Sequence, residues 1–189
     1  MNKEFYQRNI LKPLEIWKAR GESVHDKGAI LLGFMPEVAP KAYAHIIFPP
    51  LNESFISEFQ QRLNGRRIPE SLAELLKLAN GMSIFLGEIT LNGYIPLKGE
   101  KSKGFLDNPP NIMIDNGQLM VKGSDSTDIT IGWYQTDGSY INIKSDSSIV
   151  RFKPGLPMQV IQSWPDLETW LSSEIARLNT EWQHKLINS

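Results

Sequence analysis

Apolar residues recur at helical spacing towards both ends of the chain and at alternating spacing in the middle. From Asn2 to Arg20, Ile10, Leu11, Leu14 and Trp17 fall on one side of a predicted helix. Pro13 should kink that helix or start a new one, and Gly21 should end it. A second helix is predicted from Asn52 to Leu63. Asn52 is a good N-cap, Leu51, Phe55, Phe59 and Leu63 repeat every four residues, and Asn64-Gly65 supplies the stop. The phrase IPESLAELLKLANG then encodes a third helix. Pro69 pre-sets the angle of a first helical residue, Leu72, Leu75, Leu76 and Ala79 make one stripe, and Asn80 or Gly81 can take the left-handed conformation that stops it. The closing stretch SWPDLETWLSSEIARLNTEWQHKL reads as a long amphipathic helix. Ser163 and Asp166 have capping-box spacing, and Leu167, Trp170, Leu171, Ile175, Leu178 and Trp182 form its stripe.

Strand patterns lie between these helices. Ala29 to Phe34 and His45 to Phe48 are short apolar runs, each followed by a proline that blocks extension of a ladder. From Met82 to Phe152 short alternating runs are separated by Gly87, Asn92-Gly93, Pro109-Pro110, Asn116-Gly117, Asp137-Gly138 and Pro154-Gly155, which predicts a meander of antiparallel strands. Asn116-Gly117 should close a two-residue hairpin between Ile112 to Ile114 and Leu119 to Val121. In the next hairpin Ile129, Ile131 and Trp133 alternate opposite Ile141 and Ile143. A three-residue Thr136 to Gly138 loop keeps these together, pairing Trp133 with Ile141 and Tyr134 with Tyr140. The pattern therefore predicts an α+β fold, an antiparallel or mixed sheet meander with helices packed mainly on one face.

Composition narrows the function classes. The chain has 189 residues, enough for one domain with some extra length, and 41% hydrophobic with 22% charged is ordinary for a soluble fold. Twenty basic and 21 acidic side chains give a net charge of -1, no general field for nucleic acid or an anionic membrane. The absence of cysteine excludes disulfides, thiolate zinc sites and cysteine nucleophiles. No apolar run is long enough to span a bilayer, and the expected location is the cytoplasm.

Candidate chemistry is sparse. His25, His45 and His184 are far apart and form no metal-ligand spacing; His45 sits in an apolar run and should be a hydrogen-bonded core residue. The GSDSTD loop lacks the alternating carboxylates and closing glutamate of a calcium loop, so a solvated turn is expected. No glycine pattern cradles phosphate and no GxSxG elbow is present. Arg66-Arg67 with Lys98, Lys101 and Lys103 are basic clusters without interleaved aromatics, expected to be solvated. No catalytic residue, metal or cofactor is predicted.

The PPLNESFISEFQQRLNGRRIPESLAELLKLANG helical pair, the LNGY turn at Leu91 to Tyr94, the meander and the SWPDLETWL helix resemble the SUKH superfamily. That domain is shared by many bacterial toxin-immunity proteins and by the yeast Smi/Knr type of cell-wall regulator. The likeness covers roughly residues 46 to 180. It implies a SUKH-like domain over residues 46–189, preceded by an N-terminal extension of residues 1–45 packed on it. These motifs are structural and transfer no catalytic residue. The resemblance implies a non-enzymatic immunity protein that neutralises a cognate polymorphic toxin, such as a nuclease, by direct binding. The alternative is a regulatory scaffold or adaptor for cell-envelope or secretion machinery that docks through the N-terminal segment and the terminal helix. The predicted register puts Tyr134 and Tyr140 on the sheet face away from the core, where they would meet the partner or, alternatively, form a cross-strand pair. Asp125, Asp128 and Asp137 near the same strand ends would add acidic complementarity to a basic toxin surface.

Overall fold

Among the described residues nine strands pair in strict chain order, each antiparallel to the next, so the sheet is a meander. The computed structural model describes residues 1–97, 104–118 and 121–187. The predicted basic positions Lys98, Lys101 and Lys103, and the strand residues Leu119 and Met120, lie outside them. The strands are β1 (Glu22–Val24), β2 (Ile30–Phe34), β3 (Tyr43–Ile47), β4 (Met82–Ile84), β5 (Ile89–Leu91), β6 (Ile129–Tyr134), β7 (Tyr140–Ile143), β8 (Ile149–Lys153) and β9 (Gln159–Trp164). With helices α1 (Lys3–Phe5), α2 (Lys12–Glu15), α3 (Glu53–Arg62), α4 (Glu70–Leu78) and α5 (Leu167–Ile187) they make the expected α+β fold.

Alternation along the strands sorts the side chains. Leu32, His45, Ile84, Ile89 and Tyr134 line one face, where the main core gathers stripe residues from the helices: Ile10, Leu14, Phe59, Leu72, Leu76, Trp170, Leu171 and Ile175 are all nearly or fully buried. On the opposite face Ala29, Leu31, Ile46 and Phe48 form a smaller cluster with Tyr43 and Leu106 against them.

The helical signals act largely as read. Asn52 caps α3, its Oδ1 accepting the Phe55 amide at 3.0 Å, and left-handed Asn64 and Gly65 follow the helix. Pro69 takes the cap position of α4, and left-handed Gly81 turns the chain into β4. Asn80 stays outside the left-handed region and serves the sheet instead. Its Nδ2 donates to the Tyr94 carbonyl at 2.9 Å and its Oδ1 accepts the Tyr94 amide at 2.7 Å, so one side chain imitates a strand neighbour. The backbone of Gly93 passes so close that a Cβ there would lie 2.2 Å from the Asn80 carbonyl oxygen. At the end of the chain Asp166 alone caps α5, accepting the Thr169 amide at 2.6 Å; Ser163 is a residue of β9, a strand the sequence pattern did not reveal.

Pro13 stands in the first turn of α2, as expected of a residue that starts a new helix; a π-helical turn over Tyr6–Leu11 precedes α2 and a 3-10 turn over Ile16–Arg20 continues from it to Gly21. Two further expectations are corrected. Asn116-Gly117 closes no hairpin: Ile114–Gln118 is a π-helical turn. There the buried Asn116 donates from Nδ2 to the Ile112 and Thr130 carbonyls, both at 2.7 Å, and accepts the Thr130 amide at 2.8 Å. Its side chain completes the ladder, so the residue is consumed by packing and not by a turn. Second, the β6–β7 loop has four residues, Gln135 to Gly138, closed by Tyr134 N–H to Ser139 O at 2.8 Å and Gly138 N–H to Tyr134 O at 3.1 Å. Trp133 pairs with Tyr140 and Gly132 with Ile141, and an irregularity between Thr130 and Gly132 absorbs the difference.

Residues 1–45 are woven into this architecture. β1 and β2 continue the same sheet through β3, and a boundary between residues 45 and 46 falls inside β3. Trp17 Nε1 donates to Asn179 Oδ1 at 2.9 Å while Asn179 Nδ2 donates to the Pro13 carbonyl at 3.1 Å, tying the N-terminal helices to α5.

Candidate functional site

The altered register separates the two tyrosines singled out from the sequence. Tyr134 turns into the core and is 0% exposed. Its hydroxyl donates to Glu174 Oε2 at 2.8 Å and accepts from Trp170 Nε1 at 3.0 Å, and the Arg151 guanidinium lies 3.7 Å from its ring centroid. Burial, reinforced by the Glu174 charge, pushes the phenol well above its ordinary range. Tyr134 therefore offers nothing to a partner, a correction to the expected outward face. Tyr140 does stand on the outer face, half-buried beside Phe152 with ring centroids 6.2 Å apart.

The three aspartates also part company. Asp125 is exposed and holds its own turn, accepting the Thr127 amide and hydroxyl at 3.2 Å; the amide bond keeps the carboxyl below its usual range. Asp128 is 2% exposed, paired with Lys144 Nζ at 2.8 Å and with Asn142 Nδ2 at 3.2 Å, and so is structural, not a contact residue. Asp137 is half-buried. Burial works against its charge, but hydrogen bonds from Ser139 and Arg151 outweigh it and hold the carboxyl below the usual range. Asp137, Arg151 and the Tyr134 ring thus form one guanidinium clamp.

Along the outer face Ile46, Ser83, Thr90, Trp133, Tyr140 and Phe152 stand in register from β3 to β8. Trp133, expected on the core face with Ile129 and Ile131, belongs to this outer row because the β6 irregularity flips the strand's alternation. Trp133 and Tyr140 line a groove of about 300 Å³ together with Asn92, Pro110, Ile114 and Asp115. Ile114 is 53% exposed. Asn92 Nδ2 donates to Asp115 Oδ2 at 3.0 Å, and the buried Asn92 Oδ1 has no hydrogen-bond partner among the described residues. Burial raises the Asp115 carboxyl above its ordinary range, against the opposing Asn92 hydrogen bond. Sequence reasoning missed Asp115 and Asn92, because both stand beside turn signals, Asn116-Gly117 and Gly93, that account for them without a ligand.

A second exposed feature lies at the end of the sheet. β9 pairs only with β8 among the described residues, and Gln159 to Ser163 are exposed on both faces. Val160 and Ile161 are 52% and 42% exposed, and Leu156 in the preceding turn 77%. The strand carries no charged residue that would guard its free edge.

The remaining candidates are structural. Arg66, read as part of a solvated basic cluster, instead clasps the fold, donating to the Asn116 carbonyl, to the Asp128 carbonyl at 3.0 Å and to the Leu63 carbonyl at 3.2 Å. His45 is in the core as expected, its Nδ1 accepting the Phe85 amide at 3.2 Å. Among the described residues no group of three or more His, Asp or Glu side chains could hold a metal ion, and no helix is long and apolar enough to cross a membrane.

Fold and surface together define an α+β protein built on one antiparallel meander, with an aromatic and acidic groove on its outer face and an unguarded apolar edge. Comparison of the chain with family models, curated proteins and solved structures finds no match.

Proposed function

We propose that this chain is a non-enzymatic protein-binding domain of the immunity type, which neutralises a cognate toxin by direct contact. The observation that carries the reading is β9: a free strand edge with Val160, Ile161 and Leu156 exposed beside it is the arrangement by which a sheet receives a strand or apolar patch of another protein. Monomeric proteins ordinarily shield such edges with charge or proline, and this strand has neither. The SUKH-like motifs of the helical pair and the LNGY turn supply the toxin as the class of partner.

Pull-down with the product of an adjacent toxin gene, followed by rescue of cells expressing that toxin, tests the reading. A Val160→Lys and Ile161→Lys double variant should keep the fold, since both side chains are solvent-facing, and weaken capture by about tenfold or more. Failure of the wild-type chain to bind any adjacent toxin or to protect cells counts against immunity. Capture without protection would favour a scaffold or adaptor role.

A further inference from the structure

We propose that the groove between Trp133, Tyr140 and Asp115 is an anchor pocket for an arginine side chain of the protein partner. The inference rests on the reading of the chain as a protein-binding domain and names the chemistry that one part of its surface recognises.

Three features of the groove converge on a guanidinium. First, its wall is aromatic: Trp133 and Tyr140 are cross-strand partners on the outer face, both half-buried, and planar cations stack on such rings. Second, its polar groups accept. Asp115 is a half-buried carboxylate that pairs with no cationic side chain among the described residues; it accepts a hydrogen bond from the neutral Asn92 amide. Asn92 Oδ1 is a further buried acceptor without a donor among the described residues, and a buried acceptor left unpaired costs about 1–3 kcal/mol, so it calls for an explanation. A guanidinium brings five donors in a fixed plane. Third, at about 300 Å³ the groove is at the small end of ligand sites, suited to one side chain entering from solvent beside the exposed Ile114.

The protein supplies its own precedent on the inner face of the same sheet, from β6, the β6–β7 loop and β8. There Tyr134, Asp137 and Arg151 already form a ring, a carboxylate and a guanidinium, with the cation 3.7 Å from the ring centroid and 3.1 Å from the carboxylate. The outer groove presents the ring and the carboxylate and leaves the cation's place open. Lysine satisfies the charge but neither the stacking nor the planar donor set, which makes arginine the better fit.

The test uses the full chain, labelled with nitrogen-15, and N-acetyl-arginine N-methylamide as probe. The Trp133 indole N–H signal is assigned through Trp133→Phe. It should move saturably with the arginine probe, less with the lysine analogue, and not with the neutral citrulline analogue. Asp115→Asn keeps an acceptor for Asn92 and should weaken the probe's apparent affinity by about tenfold; Tyr140→Leu should do so independently. An unmoved Trp133 signal, an equal response to citrulline, or undiminished binding to both variants overturns the pocket. The two readings fail separately. A captured toxin that holds both variants as tightly as wild type overturns the pocket and leaves protein binding standing. A chain that binds the arginine probe through Asp115 but captures no partner overturns the toxin-binding reading alone.

Discussion

His45 and Tyr134 are polar side chains at the centre of an apolar core, and each carries its own consequence. The Tyr134 hydroxyl donates to Glu174 and accepts from Trp170, so its buried proton and one acceptor position are both satisfied. His45 is less complete: Nδ1 accepts the Phe85 amide, Nε2 has no partner among the described residues, and the ring sits edge-on to Trp17 and Phe85 at centroid distances of 5.3 and 4.7 Å. Burial lowers its pKa to about 3 from an ordinary value of 6.5. The sign follows. Above about pH 6.5 folded and unfolded chains both carry neutral imidazole, and the fold keeps its full stability. Below that, down to about pH 3, the unfolded chain binds a proton that the folded chain refuses. Stability therefore falls by up to about 1.4 kcal/mol per pH unit from this group alone. Urea unfolding of wild type and His45→Gln at several values between about pH 4 and pH 6 should show the variant's pH slope shallower by close to one proton. Parallel slopes would mean that His45 titrates normally in the fold.

At the scale of elements, the segment around Asn116 shows how a strong local signal is overruled. Asn-Gly between two apolar runs predicts a hairpin, yet Asn116 is buried and bonds both the amide and the carbonyl of Thr130, while Arg66 reaches its backbone carbonyl. Asn116→Ala would leave buried groups of β6 and Ile112 unpaired and should cost about 3 kcal/mol, read as a lower urea midpoint at an unchanged m value. A loss below about 1 kcal/mol would show that water replaces the side chain. Elements whose evidence was periodic and long were legible: α3 and α4 begin and end within a residue or two of their sequence signals because caps and stripes act locally, whereas α5 is capped by Asp166, three residues past the predicted Ser163, which lies in β9. Register was not legible, since one extra residue near Ile131 is invisible in an alternating pattern and decides which way Trp133 and Tyr134 point. β9 escaped notice because QVIQSW is exposed on both faces and so has no period to read. The groove was half legible for the same reason: Tyr140 was expected outside and is there, whereas Trp133 and Asp115 come to it through the bulge and the π-helical turn.

For the whole molecule, the decisive question is whether residues 1–45 are an attachment or part of the fold. The motifs from which a family resemblance was read begin after them, an arrangement that would make them an addition with its own docking role. The packing argues otherwise. Ile10, Leu14, Trp17 and Leu32 are each less than 5% exposed and belong to the same core as Leu72, Ile84 and Leu171. Their removal would strip β1, β2 and half of β3 from the sheet and uncover β4, whose Met82 and Ile84 are fully buried. It would also leave the Asn179 amide, now shared between Trp17 and the Pro13 carbonyl, without partners on α5. Burial of one large core side chain contributes about 1.5–3 kcal/mol, so the loss of four, about 6–12 kcal/mol before cavity costs, is as large as a typical net stability of about 5–15 kcal/mol. A chain of residues 46–189 should therefore be aggregated or lack a cooperative melt, whereas Trp17→Phe in the full chain should fold with a lowered midpoint. A dispersed amide spectrum and a sharp thermal transition from residues 46–189 would return the first 45 residues to the status of an extension. In that case alone could their deletion separate partner capture from folding, as the adaptor reading requires.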